Sequence, residues 1–438
     1  LLLFGRAGGD NFDMTSLTVP SVRIHACNNR AVDASRDYVL YWMIANRRRH
    51  WNFALQRAVH WATELRRPLL IVEALNCDYP WASARLHTAV LEGMRDNLRD
   101  FEGSGALYYP FAERFPSQGS GMAHALAERS CLVVTDDFPA FEIPRWIAAL
   151  AEKSPVLVEK VDSNGIFPMR STDRVFTTAH SFRRFLQKEL PARLEEFPLA
   201  DSLAGVELPR MAAPPILAKR WPAATAQELS PAKALAAAIP VDGSVAPVCE
   251  FAGGAGASRD RLKRFVRNGM KSYVETHNQP QAETSSGLSP YLHFGHISAH
   301  EVFHTVAAAV RWSPEKLNSK TTGSREGWWG AGPDAEAFFD QLLTWREVGF
   351  NMCAHSPDYA AYGSLPAWAR KTLGEHAADP RPVLYSRETL ENAATHDVLW
   401  NAAQSQLLAE GRIHNYLRML WGKKILEWSR TPEGAVET

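Results

Sequence analysis

The chain has 438 residues, of which 46% are hydrophobic, and its 48 basic residues are balanced by 48 acidic ones. This length is sufficient for two domains with full cores. A formal net charge of zero excludes a general polyanion binder, although a local basic face is compatible with it. No apolar stretch approaches membrane-spanning length, so we expect a protein without a membrane span.

The cysteines are scattered and contain no CxxC pair, which predicts neither a disulfide framework nor a zinc site. We therefore expect no metal and a cytoplasmic protein with reduced thiols. The five are Cys27, Cys77, Cys131, Cys249 and Cys353.

The first residues, LLLFGRAGGDNFDM, contain too short an apolar run for a signal peptide and no cleavage pattern. They also lack an initiating Met, and Met14 is a candidate start. We expect residues 1–20 to be a disordered or non-native extension.

Short apolar runs alternate with helix-length amphipathic stretches over residues 21–200, which predicts an α/β domain with a parallel sheet. The two clearest helices are Asn52 to Leu65 and Ala84 to Leu98. Asp136 and Asp137 follow one apolar run, at the edge where such sheets bind ligands, but we favour a turn or cap for them. The predicted strands are Tyr38 to Met43, Pro68 to Val72, Ala106 to Tyr109, Cys131 to Thr135 and Val156 to Val161.

The composition shifts to Ala and Pro over residues 201–247, which indicates an interdomain linker with little core of its own. Residues 248–438 have an almost wholly helical pattern. Within them, the Gly-rich stretch Thr321 to Pro333 predicts a loop in which Trp328 and Trp329 are exposed.

The segment SSGLSPYLHFGHIS, residues 285–298, places small hydroxyl residues and a glycine ahead of an apolar run. Backbone N–H groups and hydroxyls at such a turn suit a phosphate or pyrophosphate. An ordinary Ser cap followed by Pro at the first helical position explains the pattern equally well.

The segment Thr395 to Trp428 contains no Pro and predicts two amphipathic helices broken near Gly411. Trp421 and Trp428 are seven residues apart and so share a helix face, with Arg418 one turn before Trp421. Oxidisable rings beside a cation suggest an anionic redox cofactor served by an electron relay. The pattern alone favours simple core packing.

Several ordered motifs together resemble the photolyase/cryptochrome family, and in particular class II cyclobutane pyrimidine dimer photolyases. SSGLSPYLHFGHIS resembles its flavin-phosphate motif, and WNAAQ with GRIHNYLRMLWGKKILEW resembles its cofactor-facing and lesion-facing helices. Near the N-terminus, YVLYWMIANRRRHWNFALQRAV resembles the opening strand and helix of the class. The similarity covers roughly residues 20 to 438.

This resemblance implies a Rossmann-like α/β antenna domain followed by an all-α FAD-binding domain, residues 248–438. It implies a deoxyribodipyrimidine photo-lyase: light-driven repair of cyclobutane pyrimidine dimers in DNA by electron transfer from reduced FAD to a flipped-out dimer. The partner would be damaged double-stranded DNA, and we expect a monomer. An antenna chromophore, either deazaflavin or methenyltetrahydrofolate, stays open because residues 161–187 differ from the usual class II sequence.

The resemblance also assigns roles to residues. Trp421, Trp400 and Trp428 match the inner, middle and outer members of the electron relay. Gln341, Trp345, Asn415 and Met419 match lesion-facing positions, with core packing as the alternative for Trp345. The cofactor-binding positions are Tyr273, Ser285, Ser286, Gly287, Leu288, Ser289 and Arg418, whose cation would favour the anionic reduced flavin.

A basic segment predicts the DNA-binding surface, where phosphate contacts would give affinity without sequence preference. The alternative is a solvated helix face, which we prefer for the separate cluster Arg47 to Arg49. The candidate DNA-binding residues are Arg259, Arg261, Arg264, Arg267, Lys271 and His277.

Three departures from the family pattern bear on function. The family usually has Arg at the position of His277 and often Glu at that of Gln341, and Gln cannot supply a proton. The family also continues beyond Thr438 with an asparagine near the flavin N5 and an acidic loop, so we expect a C-terminally truncated reading frame that holds FAD poorly. The main alternative function is a cryptochrome-like blue-light sensor without repair activity.

Overall fold

The computed structural model describes residues 17–282 and 284–438. The extension expected over residues 1–20 lies mostly outside the described residues. Leu17 and Val19 are nevertheless buried in the α/β core, so the ordered chain begins before residue 21.

A six-stranded sheet forms the centre of the first domain, in the order β1-β6-β5-β2-β3-β4. All neighbouring strands run parallel except β1, which pairs antiparallel with β6 at one edge. The predicted parallel sheet is thus confirmed for five strands, and the antiparallel edge strand was not foreseen. The strands are β1 (Ile24–Ala26), β2 (Tyr38–Met43), β3 (Leu69–Leu75), β4 (Leu107–Ala112), β5 (Ser130–Asp136) and β6 (Val158–Val161).

Helices cover both faces of this sheet and bury its apolar side chains in two separate clusters. α1 is capped by Asn52, the first residue of the predicted helical stretch, whose side chain accepts hydrogen bonds from the backbone N–H groups of Ala54 and Leu55. The helices of this region are α1 (Phe53–Leu65), α2 (Ala84–Phe101), α3 (Met122–Ala127) and α4 (Ile143–Lys153), and α5 (Ala179–Glu189) follows them in the chain.

The Ala/Pro-rich segment 201–247 contains three short helices, α6 (Pro215–Arg220), α7 (Ala226–Leu229) and α8 (Ala232–Ala238). Contrary to expectation, it contributes to the core: Leu217 and Trp221 are fully buried against the sheet. The linker therefore wraps around the α/β domain.

The remaining helices form the second domain. They are α9 (Ala255–Arg264), α10 (Tyr273–Thr276), α11 (Ser289–His293), α12 (Ala299–Ala309), α13 (Pro333–Phe339), α14 (Arg346–His355), α15 (Ala367–Glu375), α16 (Arg387–Glu391), α17 (Val398–Glu410), α18 (Asn415–Trp428) and α19 (Pro432–Glu437). Two π-helical turns, Phe265–Gly269 and Asp340–Trp345, continue α9 and α13.

The core of the helical domain includes residues from the segment 166–194, which the sequence assigned to the α/β domain. Arg183 on α5 forms a bidentate ion pair with Asp340, at 2.7 and 3.0 Å. By packing, the boundary between the domains therefore falls near residue 166 instead of residue 200. Trp328 and Trp329 are buried in the same core, so the expectation that they are exposed is wrong.

The side chains of Arg47 to Arg49 make structural contacts within the fold, so this cluster is not the solvated helix face that we preferred. Arg48 is 2% exposed and donates to the carbonyl oxygen of Gly295 at 3.0 Å, across the domain interface. Arg47 pairs with Glu73 and Arg49 with Asp201. These three cations stabilise the fold.

The two aspartates at the end of β5 have the structural roles that we favoured. Asp136 accepts hydrogen bonds from the backbone N–H groups of Ile44, Ala45 and Asn46, at 2.8 to 2.9 Å. Asp137 pairs with Arg170. Asp136 thus fixes the turn after β2, to which the helical domain docks.

This docking depends on a glycine. Gly295 has φ of +73°, and a Cβ atom there would lie 1.9 Å from the carbonyl oxygen of Ala45. We expect Gly295→Ala to cost about 3 kcal/mol or more through backbone strain and overlap. Urea unfolding measures the loss, with Gly349→Ala as the control because a Cβ there meets nothing within 4 Å. Equal stability of the two variants would contradict this role.

His296 is buried at the same interface, where its Nδ1 accepts a hydrogen bond from the backbone N–H of Gly254 at 3.0 Å. Burial lowers its pKa from 6.5 to about 3. The unfolded chain therefore binds this proton first as the pH falls, and stability is lost below pH 6.5, by about 2 kcal/mol at pH 5.

We expect the fall in unfolding free energy between pH 7.5 and pH 5 to be smaller by about that 2 kcal/mol in His296→Gln, whose amide oxygen can accept the same hydrogen bond. Urea titrations of parent and variant at both pH values measure the difference. An identical pH dependence would show that His296 does not carry the effect.

Candidate functional site

The two helices predicted around Gly411 are confirmed as α17 and α18. Asp397 caps α17 by accepting hydrogen bonds from the backbone N–H groups of Leu399 and Trp400. Gly411 ends it at φ of +67°, and the His414 side chain caps α18. This antiparallel pair positions the three relay candidates.

The three tryptophan rings form a continuous series with Trp400 in the middle. The Trp400 ring lies parallel to that of Trp421, with centroids 6.3 Å apart, and edge-on to that of Trp428 at 5.6 Å. The Trp400 indole N–H also donates to the carbonyl oxygen of Trp421 at 3.1 Å. Rings at these separations are in contact.

Each ring has a different environment. Trp400 and Trp428 are 1% and 2% exposed, whereas Trp421 is half-buried. The Trp421 indole N–H donates to Gln404 Oε1 at 2.9 Å, and the Gln404 amide donates in turn to the carbonyl oxygen of Glu391. Gln404 therefore fixes the orientation of the Trp421 ring, a role that the sequence analysis missed.

Three further candidates on α18 are exposed: Asn415, Arg418 and Met419. Arg418 donates to Asn415 Oδ1 at 2.6 Å. Because an amide is neutral, this contact orients the guanidinium without cancelling its charge. Arg418 can still attract an anion one turn from Trp421.

The Ser285–Ser289 segment forms a turn before α11, with Gly287 at φ of +63°. Arg261 donates to the carbonyl oxygens of Ser285 and Ser286 at 2.7 and 2.6 Å. These carbonyls face the guanidinium, and the Leu288 backbone N–H donates to Ser286 Oγ at 3.4 Å, so an anion would meet the remaining hydroxyl and N–H donors of the turn. Next to the turn, Thr284 Oγ1 is buried and has no partner among the described residues.

Tyr273 and His277 connect this region to the tryptophan helices. Their rings stack at 4.7 Å, and burial raises the pKa of Tyr273 to about 12. The carbonyl oxygen of His277 accepts a hydrogen bond from His414 Nε2 at 3.1 Å. Since His414 caps α18, this contact joins the region around Tyr273 and the Ser285–Ser289 turn to the helices α17 and α18, which carry the three tryptophans.

Gln341 and Trp345 lie four residues apart on the π-helical turn, and both are exposed. Trp345 is 53% exposed, so the core-packing alternative does not describe it. All four lesion-facing candidates, Gln341, Trp345, Asn415 and Met419, are exposed to solvent.

The residues after Trp345 anchor it to the segment 164–167, where the chain passes from the α/β domain to the helical domain. The Glu347 carboxylate accepts hydrogen bonds from the backbone N–H groups of Ile166 and Phe167, at 2.7 and 3.1 Å. Arg346 donates to the carbonyl oxygen of Asn164 at 2.6 Å. Burial raises the pKa of Glu347 to about 7. The sequence analysis assigned no role to Arg346 or Glu347.

The DNA-binding candidates separate into two groups. Arg264, Arg267 and Lys271 are exposed. Arg259 pairs with Glu301 at 2.9 Å, and Arg261 donates to backbone carbonyl oxygens of the Ser285–Ser289 turn. The exposed group is therefore the better supported candidate for contact with phosphates.

Solved structures share this fold. A bacterial class III photolyase from Agrobacterium tumefaciens superposes with a TM-score of 0.59 at 17% identity, over 92% of this chain and 78% of the other. An archaeal photolyase from Sulfolobus tokodaii, described with two FAD molecules, gives 0.57 at 14% identity, over 89% and 74%. The chain thus has the fold of photolyases.

Curated relatives carry the likeness beyond the fold. The deoxyribodipyrimidine photo-lyase of Methanothermobacter thermautotrophicus is 30% identical over 421 residues, which cover 95% of this chain and 83% of that protein. The one from Oryza sativa subsp. japonica is 32% identical over 420 residues, 91% and 74%. No protein-family model matches the chain. The chain belongs to the family of deoxyribodipyrimidine photo-lyases.

The residues present fit the FAD that the resemblance implies. The turn at Ser285–Ser289 supplies hydroxyl and backbone donors, the Thr284 hydroxyl lacks a partner among the described residues, and Arg418 supplies a cation near the tryptophans. In the described part of the chain, no group of three or more His, Cys, Asp or Glu side chains could hold a metal ion. Nor is any described helix both long and apolar enough to cross a membrane.

The contacts of Arg261 predict that it supports cofactor binding and not DNA binding. We expect Arg261→Met to raise the Kd for FAD by about tenfold, because it removes two charge-assisted hydrogen bonds that shape the turn. Fluorescence titration with FAD measures this loss.

Arg264→Met is the matched control, because Arg264 is exposed on the same helix. It should leave FAD affinity unchanged and lower the salt dependence of DNA affinity by about one phosphate contact. The reverse pattern in the two variants would assign Arg261 to DNA.

Proposed function

We propose that this chain is a class II enzyme that repairs cyclobutane pyrimidine dimers in DNA in a light-driven reaction. The continuous series of Trp421, Trp400 and Trp428 rings beside Arg418 carries the proposal. Family membership supports photolyase chemistry, and the motif resemblance supports the class and the lesion.

In this proposal FAD, when bound, supplies a light-excitable one-electron donor. The Ser285–Ser289 turn and Tyr273 hold its ribityl-phosphate part, and Arg418 favours the reduced anionic form by its charge. Trp400 and Trp428 conduct an electron to Trp421. Their burial excludes water from this route.

The lesion would meet accessible side chains. Trp345 presents an exposed ring on which a flipped base can stack, held by the anchoring of Arg346 and Glu347 to the segment 164–167. Asn415 and Met419 are exposed on α18 for the same encounter. Arg264, Arg267 and Lys271 would bind the flanking phosphates.

The proposal is tested by loading the 438-residue chain with FAD and illuminating it with a dimer-containing duplex. We expect photoreduction of the protein and restoration of intact pyrimidines. Photoreduction without repair would favour the blue-light sensor, for which His277 and Gln341 are the supporting departures. A chain that binds no FAD would overturn both functions.

Gln341 gives a sharper prediction. A carboxyl group at this position would hydrogen-bond the lesion bases and supply a proton, whereas the Gln amide can only hydrogen-bond. We expect Gln341→Glu to raise the repair yield roughly fivefold, corresponding to one hydrogen bond of about 1 kcal/mol. Gln227→Glu adds the same charge on α7, and an equal gain there, or no gain in Gln341→Glu, would refute the role.

A further inference from the structure

The tryptophan series ends in the protein interior. Trp428, its last member, is 2% exposed, so a reductant in solution cannot contact its ring. Tyr385 packs edge-on against it, with ring centroids 5.3 Å apart, and the Tyr385 backbone N–H donates to the carbonyl oxygen of Trp428 at 3.2 Å. Tyr385 is half-buried and so extends the series toward solvent.

The Tyr385 phenol has a defined hydrogen-bond geometry. Its oxygen lies 2.6 Å from His396 Nδ1 and also accepts a hydrogen bond from the His396 backbone N–H at 2.9 Å. A backbone N–H can only donate, so it occupies a lone pair of the phenol oxygen. The phenol hydrogen then points to Nδ1, which we assign as the acceptor in the Nε2–H tautomer.

The local sequence holds His396 in place. The preceding Thr395 exchanges hydrogen bonds with Asn401: its backbone N–H donates to Oδ1 at 3.0 Å, and the Asn401 amide donates back at 2.7 Å. The following Asp397 caps α17. His396 itself is exposed, so a proton that it accepts can pass to water.

We propose that Tyr385 and His396 form a proton-coupled terminal donor for the tryptophan series. One electron passes from Tyr385 to an oxidised Trp428 ring, and the phenol proton moves from Oη to His396 Nδ1. The products are a neutral Trp428, a neutral tyrosyl radical and a protonated imidazole. A one-electron reductant in solution, such as a thiol, then restores the phenol as the proton returns.

This inference rests on the proposed function for its physiological oxidant, but its chemistry can be tested without flavin. A flash-quench experiment uses photogenerated tris(bipyridine)ruthenium(III) as the one-electron oxidant and the flavin-free chain as the target. Radicals are identified by high-field electron paramagnetic resonance with ring-deuterated tyrosine. We expect a hydrogen-bonded tyrosyl signal that disappears in Tyr385→Phe and persists in Tyr416→Phe, a matched control on α18 with an exposed ring.

The role of His396 has its own readout. In His396→Gly we expect the tyrosyl radical to form about a hundredfold more slowly, the usual effect of removing a positioned base, and added imidazole to restore the rate. Circular dichroism verifies that each variant is folded. An unchanged rate in His396→Gly, or slowing without imidazole rescue, would overturn the proton-acceptor role.

A second arm uses the FAD-loaded chain under blue light, with transient absorption to follow the radicals. We expect the tryptophan radical to be replaced by the tyrosyl radical in the parent and to persist in Tyr385→Phe. Identical decay in both would overturn the proposal that Trp428 hands its oxidation to Tyr385. If the loaded chain is not photoreduced but the flavin-free arm shows the Tyr385 signal, the proposed function fails while the donor pair stands.

Discussion

The contact of Trp400 with two other indoles is the interaction on which the site depends. Trp400 is the centre of a small cluster with Leu390, Ile425 and Trp428, separate from the main core of the helical domain. Its indole N–H also binds the backbone of α18. The same side chain therefore fixes the packing of α17 on α18 and the spacing of the rings, so a substitution of Trp400 would change the helix packing together with the proposed electron relay.

The α/β domain supports the site from the other side. The segment 164–167, where the chain leaves this domain, receives Arg346 and Glu347, and the turn after β2 receives Gly295. Both contacts are buried and exact in shape, because backbone groups of one domain meet side chains or backbone of the other. The exposed Trp345 thus projects from a rigid support, which is what stacking on a flipped base requires.

Much of this was predictable from residue patterns. Alternating apolar runs identified five of the six strands. Gly411 identified the break between α17 and α18, because glycine readily adopts the left-handed backbone conformation in which many helices end. β1 was missed because its three residues, partly exposed at a sheet edge, carry no apolar run. The burial of Trp328 and Trp329 was missed because a Gly-rich sequence predicts turns but does not show which side chains of the loop pack against the core.

The basic residues show why composition could not decide their roles. Charge is visible in a sequence, but the partner that neutralises it is distant: Asp201 lies 152 residues from Arg49 and Glu301 lies 42 from Arg259. Five arginines make tertiary contacts within the fold: Arg47, Arg48, Arg49, Arg259 and Arg261. The basic face that is left for DNA among the candidates is narrow and consists of Arg264, Arg267 and Lys271.

A narrow face has a functional consequence. The logarithm of the affinity falls as the logarithm of the salt concentration rises, with a slope of about −0.9 for each phosphate contact. Three cations therefore give a slope of about −3 and only modest affinity for undamaged DNA. Discrimination would then come from the lesion itself, through the lower cost of extruding a damaged base and the ring that Trp345 offers it. Under the proposed function, recognition by extrusion would replace recognition by charge, and the selectivity would lie in exposed side chains such as that of Trp345.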